Sequence, residues 1–145
     1  MRSPNDALDW LKVLLVEDSF ESLNLIRNML QDLGVTQIYT AKNGMEALEL
    51  MGVFDGDDGV DVILCDWNMP RMSGLDLLKQ LRTCDPDLPF IMITGLADCD
   101  SVTEAKSYGV TGYIKKPFST DELEKILRLA SRIILHRQNE QLIDQ

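Results

Sequence analysis

Glu17 and Asp18, Asp66, Thr94 and Lys116 each follow a short strand-like run, and together they offer three carboxylates, one hydroxyl and one ammonium. Carboxylates gathered in one place raise one another's pKa unless a counter-charge is supplied. Lys116 brings one positive charge, and a divalent cation would bring two. Mg²⁺ takes oxygen ligands in octahedral geometry and commonly keeps waters and phosphate oxygens among them. A carboxylate can act as a nucleophile on phosphorus, giving an aspartyl-phosphate. Phosphoryl transfer asks mainly for positioning and for neutralisation of charge on the equatorial oxygens. The set therefore suits a cation plus a transferable phosphoryl group. Asp66 is the candidate nucleophile, because it tops a central apolar run and is followed by a turn, Asn68-Met69-Pro70. Glu17 and Asp18 would hold the metal. Thr94 could donate its hydroxyl to a phosphoryl oxygen, and Gly95 leaves room for it. Alone, each residue has an ordinary structural use as a cap, a turn residue, a strand residue or a solvated charge. Their joint occurrence at four run ends in one repeating pattern is what points to chemistry.

These residues are distant in the chain, so the fold must gather them. Val13-Leu14-Leu15-Val16, Val62-Ile63-Leu64-Cys65 and Phe90-Ile91-Met92-Ile93 are continuous apolar runs, of the length expected for strands buried on both faces of a parallel sheet. Gln37–Thr40 and Gly112–Lys115 are weaker strands, placed nearer the sheet edges. Between the runs, Leu23, Ile26, Leu30 and Leu33 form a helical stripe stopped at Gly34. Ala47, Leu48 and Met51 suggest a second helix ending near Gly52. Leu75, Leu78 and Leu81 mark a third, and Val102, Ala105 and Tyr108 a fourth, closed by Gly109. The last helix, over 120–137, has capping-box spacing at Ser119 and Glu122, with Phe118 and Leu123 as a hydrophobic staple. Its acids come first and its bases later, which suits the helix dipole. Five βα units with right-handed crossovers make an α/β sandwich, a parallel sheet between two helix layers. Such sheets bind ligands beyond the carboxyl ends of their strands, where the five residues above are placed.

Length and charge bound the rest. The 145 residues, 45 % apolar and 26 % charged, are of a size and composition for one globular domain. The 24 acids and 14 Lys+Arg leave a net charge of −10, which argues against nucleic acid as a partner, since phosphate backbones call for bases. The charge is uneven: residues 1–66 hold 13 acids and 4 bases, residues 67–145 hold 11 and 10. Residues 106–137 reverse the sign, with seven bases and three acids. Cys65, Cys84 and Cys99 show neither CxxC nor metal-ligand spacing, which points to a reduced, cytoplasmic setting. No apolar stretch reaches the ~18–20 residues of a membrane helix, and Met1–Asp6 lacks the apolar region of a signal peptide. His136 reads as an exposed residue near a helix terminus, and the methionines as scattered fillers.

The stretches Val13–Ser19, Asp66-Trp67-Asn68-Met69-Pro70, Ile93-Thr94-Gly95 and Tyr113–Phe118 resemble the receiver domain of two-component response regulators, over about residues 11–137. The Asp66–Pro70 run pulls the comparison toward the chemotaxis regulators of that family. The resemblance implies a doubly wound, flavodoxin-like (βα)5 fold with strand order 2-1-3-4-5. It implies that Asp66 accepts a phosphoryl group from a sensor histidine kinase or phosphotransfer protein. Asp18 and Asp66 would contact Mg²⁺ directly, Glu17 largely through water, and the Asn68 main-chain carbonyl would complete the protein ligands. Thr94 and Lys116 would contact the phosphoryl group. Tyr113 would be the aromatic switch, turning inward as Thr94 moves. Lys116-Pro117 would be cis. Phosphorylation would then alter the face made by the fourth helix, fifth strand and fifth helix for a downstream output protein or domain, as in control of a flagellar motor or chemotaxis. The expected protein is a signalling switch rather than an enzyme, limited to its own phosphorylation and dephosphorylation.

Some positions depart from the commonest pattern of that family. Gly95 replaces a frequent Ala. Residues 52–60, with Asp55, Asp57 and Asp58, lengthen a loop remote from the site. Asn68 and Leu96 stand where the family tunes phosphoryl lifetime. Residues 1–10 form an N-terminal extension and 138–145 a C-terminal tail, which fits a receiver cut from a larger response regulator or hybrid kinase. Three competing classes fit these residues less well. An aspartyl-phosphate phosphatase of the haloacid dehalogenase type needs Asp-x-Asp after its first strand, and neither Glu17-Asp18-Ser19 nor Asp66-Trp67-Asn68 supplies it. A flavodoxin-like nucleotide binder needs a phosphate loop rich in Ser, Thr or Gly, and a loop opening with Glu17-Asp18 would repel bare phosphate. A phosphorylation-independent interaction module is disfavoured by the intact Asp66, Thr94 and Lys116.

Overall fold

Strands alternate with helices through the described residues of the computed structural model, which are 7–53, 59–95 and 99–143. The order is β1 (Lys12–Val16), α1 (Phe20–Asp32), β2 (Gln37–Ala41), α2 (Gly44–Val53), β3 (Val62–Asp66), α3 (Gly74–Cys84), β4 (Phe90–Thr94), α4 (Cys99–Ser107), β5 (Gly112–Lys115) and α5 (Thr120–Ile143). The strands form one parallel sheet in the order β2-β1-β3-β4-β5. The two weaker strands are its edges, as their lower apolar content requires. Asp55, Asp57, Asp58 and Leu96, and the first six residues of the expected N-terminal extension, lie outside the described residues.

The central strands divide their side chains between two layers. Val13, Leu15, Val62, Leu64, Ile91 and Ile93 pack with Leu23, Ile26 and Leu30 of α1 and Leu123, Leu127, Ala130 and Ile134 of α5. Leu14, Val16, Ile63, Cys65, Phe90 and Met92 pack on the other face with Ala47, Leu77, Leu78, Leu81 and Ala105 of α2, α3 and α4. This is the period-two alternation of a strand, hidden in the sequence because both faces are apolar. Each fully buried aliphatic side chain contributes on the order of 1.5–3 kcal/mol.

Polar chemistry at the helix ends agrees with this packing. The Ser22 N–H donates to Ser19 Oγ at 3.4 Å and the Glu122 N–H to Ser119 Oγ at 3.1 Å, satisfying donors that an α-helix leaves open at its start. Ser73 and Asp76 form a reciprocal capping box on α3 that the residue pattern had not suggested. Gly34 and Gly109 follow α1 and α4 with φ of 93° and 75°, the left-handed turn in which glycine ends a helix without Cβ strain.

Four local readings change. In α3 the buried stripe is Leu77, Leu78 and Leu81, and Leu75 is only half-buried, because the helix presents Leu77 to the sheet. Tyr108 is exposed, with Lys79 Nζ 5.4 Å above its ring, instead of continuing the α4 stripe into the core. Helix α5 runs on to Ile143, so His136 lies within it, exposed and 3.1 Å from Glu140 Oε1 one turn later. Leu8 and Leu11 at the chain's start are buried in the α1–α5 layer, and Asp9 accepts from Thr36 and Gln37. The N-terminal segment therefore closes the lower end of that layer.

Candidate functional site

Strand register assembles the site. Val16 lies opposite Cys65, so the next residues, Glu17 and Asp66, emerge on neighbouring strands at one height. Asp66 lies opposite Ile93, one residue before Thr94, and Thr94 lies opposite Lys115, one residue before Lys116. With strands about 4.8 Å apart, the expected residues reach one edge of the sheet without any irregular backbone.

There the carboxylates meet. Oxygens of Glu17, Asp18 and Asp66 lie within 4.8 Å of one another. Glu17 is 1 % exposed and Asp66 8 %, whereas Asp18 opens to solvent. Lys116 Nζ lies 2.8 Å from Glu17 Oε2 and 3.7 Å from Asp66 Oδ2, so one ammonium bridges both buried acids and sits closer to Glu17. The Ser19 N–H donates to Glu17 Oε1 at 3.2 Å, and the Asn68 N–H donates to Asp66 Oδ1 at 3.4 Å. Burial, then the Glu17 charge beside it, raise the Asp66 pKa to about 6, against the opposing pull of Lys116 and the Asn68 N–H. Asp66 is thus largely ionised at neutral pH, in a setting where its charge is poorly solvated.

Three carboxylates against one ammonium leave an excess of negative charge facing an opening, which suits a hard divalent cation with oxygen ligands. Thr94 ends β4 buried at 6 % exposure. Tyr113 stands apart from the carboxylates, on β5 opposite Met92, with 48 % of its surface exposed. The Lys116-Pro117 peptide is cis, as expected. Two site contacts went unforeseen, the Ser19 and Asn68 backbone donors. Turn residues directly after an acid are the sequence signal that would have indicated them. Of the cysteines, Cys65 is buried next to Asp66, its thiol pKa pushed well up by burial first and by Asp66 second.

The carboxylate cluster and lysine lie at the carboxyl edge of the parallel sheet, which is where open α/β sheets bind their ligands. Residues 13–128 match the response regulator receiver domain family, and the chain belongs to it. It is 37 % identical over 126 residues to the chemotaxis protein CheY of Pseudomonas aeruginosa, covering 85 % of this chain and 98 % of that one. It is equally identical to CheY-3 of Vibrio cholerae, covering 85 % and 94 %. Among solved structures, CheY4 of Vibrio cholerae superposes with a TM-score of 0.72 at 34 % identity, covering 81 % of this chain and 96 % of that chain. A chain of the Borrelia burgdorferi CheX–CheY–BeF3–Mg²⁺ complex gives 0.75 at 25 % identity, with 81 % of this chain and 86 % of that one covered. The fold class and strand order expected from the sequence are those observed. The protein is thus a CheY-like receiver of two-component signalling, from a family of signalling switches rather than classical enzymes. Among the described residues no helix is long and apolar enough to cross a membrane.

Proposed function

We propose that the chain is a phosphorylation-activated switch in which Asp66 is the acceptor. The observation that carries this reading is the buried Asp66 carboxylate within a three-acid cluster, with Lys116 bridging it to Glu17. An Asp66 oxygen attacks phosphorus, an Asp–O–P bond forms, and the bond from phosphorus to the donor breaks. With phosphohistidine as donor, the departing imidazole takes up the electron pair and then a proton. Lys116 and the Thr94 hydroxyl stabilise charge on the transferred group.

Glu17, Asp18, Asp66 and the Asn68 carbonyl would hold Mg²⁺, which when bound supplies charge neutralisation at the phosphoryl oxygens. Thr94 and Tyr113 then relay the change to the face of α4, β5 and α5, where Lys106, Lys115, Lys125 and Arg132 are exposed. That basic face would receive the output partner. The donor is a sensor histidine kinase or phosphotransfer protein, and the setting is the cytoplasm. The chemotaxis regulators among the relatives support a role in chemotaxis or motor control.

Incubation with Mg²⁺ and acetyl phosphate, followed by intact mass measurement, is the test. One phosphoryl group is expected, absent when EDTA precedes labelling and absent in Asp66→Ala. Equal labelling of Asp66→Ala would remove Asp66 as the acceptor.

A further inference from the structure

The Asp66–Trp67 peptide is held from two sides. Its N–H donates to the Ile93 carbonyl of β4 at 2.8 Å. Its carbonyl oxygen faces Gly74, the first residue of α3, so closely that a Cβ built there would lie 2.5 Å from it. The same Cβ would lie 2.8 Å from Met92 Sδ and 3.2 Å from Trp67 Cα. The Gly74 N–H also donates to the Trp67 carbonyl at 2.9 Å, so α3 begins pressed onto the two peptides that follow the acceptor. Position 74 opens a helix, where Ala has the better propensity. The requirement for glycine there is one of space.

We propose that Gly74 is a positioning residue for phosphoryl acceptance: its missing side chain lets α3 seat against the Asp66 carbonyl and so sets where the Asp66 carboxylate points. A methyl group at 74 meets two backbone atoms of the acceptor segment and one side chain. Met92 can swing its thioether away. The Asp66 oxygen and Trp67 Cα can yield only if the acceptor peptide tilts, which also loosens the 3.4 Å Asn68 N–H to Asp66 Oδ1 contact. A displacement of about 1 Å at a reacting group costs up to 10²-fold in rate. The proposal rests on the reading of Asp66 as acceptor.

The test compares acetyl phosphate labelling rates at saturating Mg²⁺, normalised to the folded fraction from circular dichroism, for wild type, Gly74→Ala, Gly74→Ala/Met92→Val and Gly112→Ala. Gly112→Ala is the control, since its Cβ would meet Ile126 Cδ1 at 2.9 Å and strain packing away from the acceptor. Gly74→Ala is expected to label roughly 10–100-fold more slowly, with Gly112→Ala near the wild-type rate. Met92→Val removes the side-chain overlap, so the double variant is expected to regain thermal stability but not labelling rate. It also carries the comparison if Gly74→Ala alone fails to fold. A wild-type rate in Gly74→Ala, or recovery of the rate in the double variant, would overturn the positioning role while leaving Asp66 as acceptor. Failure of the wild type to label at all would overturn the acceptor reading and the proposal with it.

Discussion

Asp66 and Lys116 show how burial sets the electrostatic balance of the site. The Asp66 pKa is raised from 3.8 to about 6, so between those values the folded chain binds more protons than the unfolded one, and stability falls as pH rises through that window. The favourable contribution is complete below about pH 4 and gone above about pH 6. Asp66→Asn, which stays neutral, is therefore expected to be more stable than wild type at pH 7.5, by about 1–2 kcal/mol after allowing for solvent screening. The difference should vanish near pH 4 in urea unfolding. If the variant is equally stabilised at both pH values, the buried charge is not the cause. Lys116→Met acts in the opposite sense. It leaves Glu17, 1 % exposed, without its 2.8 Å ammonium partner, and is expected to cost about 1–3 kcal/mol without metal. The same variant should gain more from Mg²⁺ than wild type does, because a cation then replaces the lost charge, as thermal melts with and without Mg²⁺ would show.

At the scale of elements, caps and edges decide how firmly the site is framed. The Ser73–Asp76 box fixes the start of α3, the helix that abuts the Asp66–Trp67 peptide. Ser73→Ala is expected to cost about 1 kcal/mol in chemical denaturation. A change below a few tenths of that would mean the box contributes nothing beyond solvent exchange. The segment before β1 belongs to the fold as well. Leu8 is 1 % exposed, and Leu8→Ala should cost about 2–5 kcal/mol, the range for large-to-small changes in a packed core. Strand and helix identities were readable from apolar runs and stripes. The buried register of α3 was not, because Leu75, Leu77, Leu78 and Leu81 allow two neighbouring stripes and only the sheet chooses between them. Tyr108 differs for a similar reason: an aromatic at helical spacing looks like core, yet Tyr108 stands just past the end of α4, exposed beneath Lys79.

For the whole molecule, the net charge of −10 resolves into regions of opposite sign. Three acids belong to one cluster that a cation would neutralise, and the exposed bases gather on the α4-β5-α5 side. Mg²⁺ binding only the folded state should stabilise it by mass action, by roughly 2.7 kcal/mol at a hundredfold excess over Kd. Thermal melts are expected to shift upward with Mg²⁺, to return with EDTA, and to shift much less in Asp66→Asn. An equal shift in that variant would place the cation elsewhere. The sequence by itself determined the βα alternation, the strand ends and the acidic, hydroxyl and lysine residues standing there, since apolar runs and turn residues are local properties of the chain. Only the tertiary structure decided that Lys116 bridges Glu17 and Asp66, that Tyr113 faces solvent, and that position 74 lies too close to the Asp66 carbonyl for a side chain. Those facts depend on distances between elements far apart in the chain, which parallel strand register and two-layer packing set, and no local pattern encodes them.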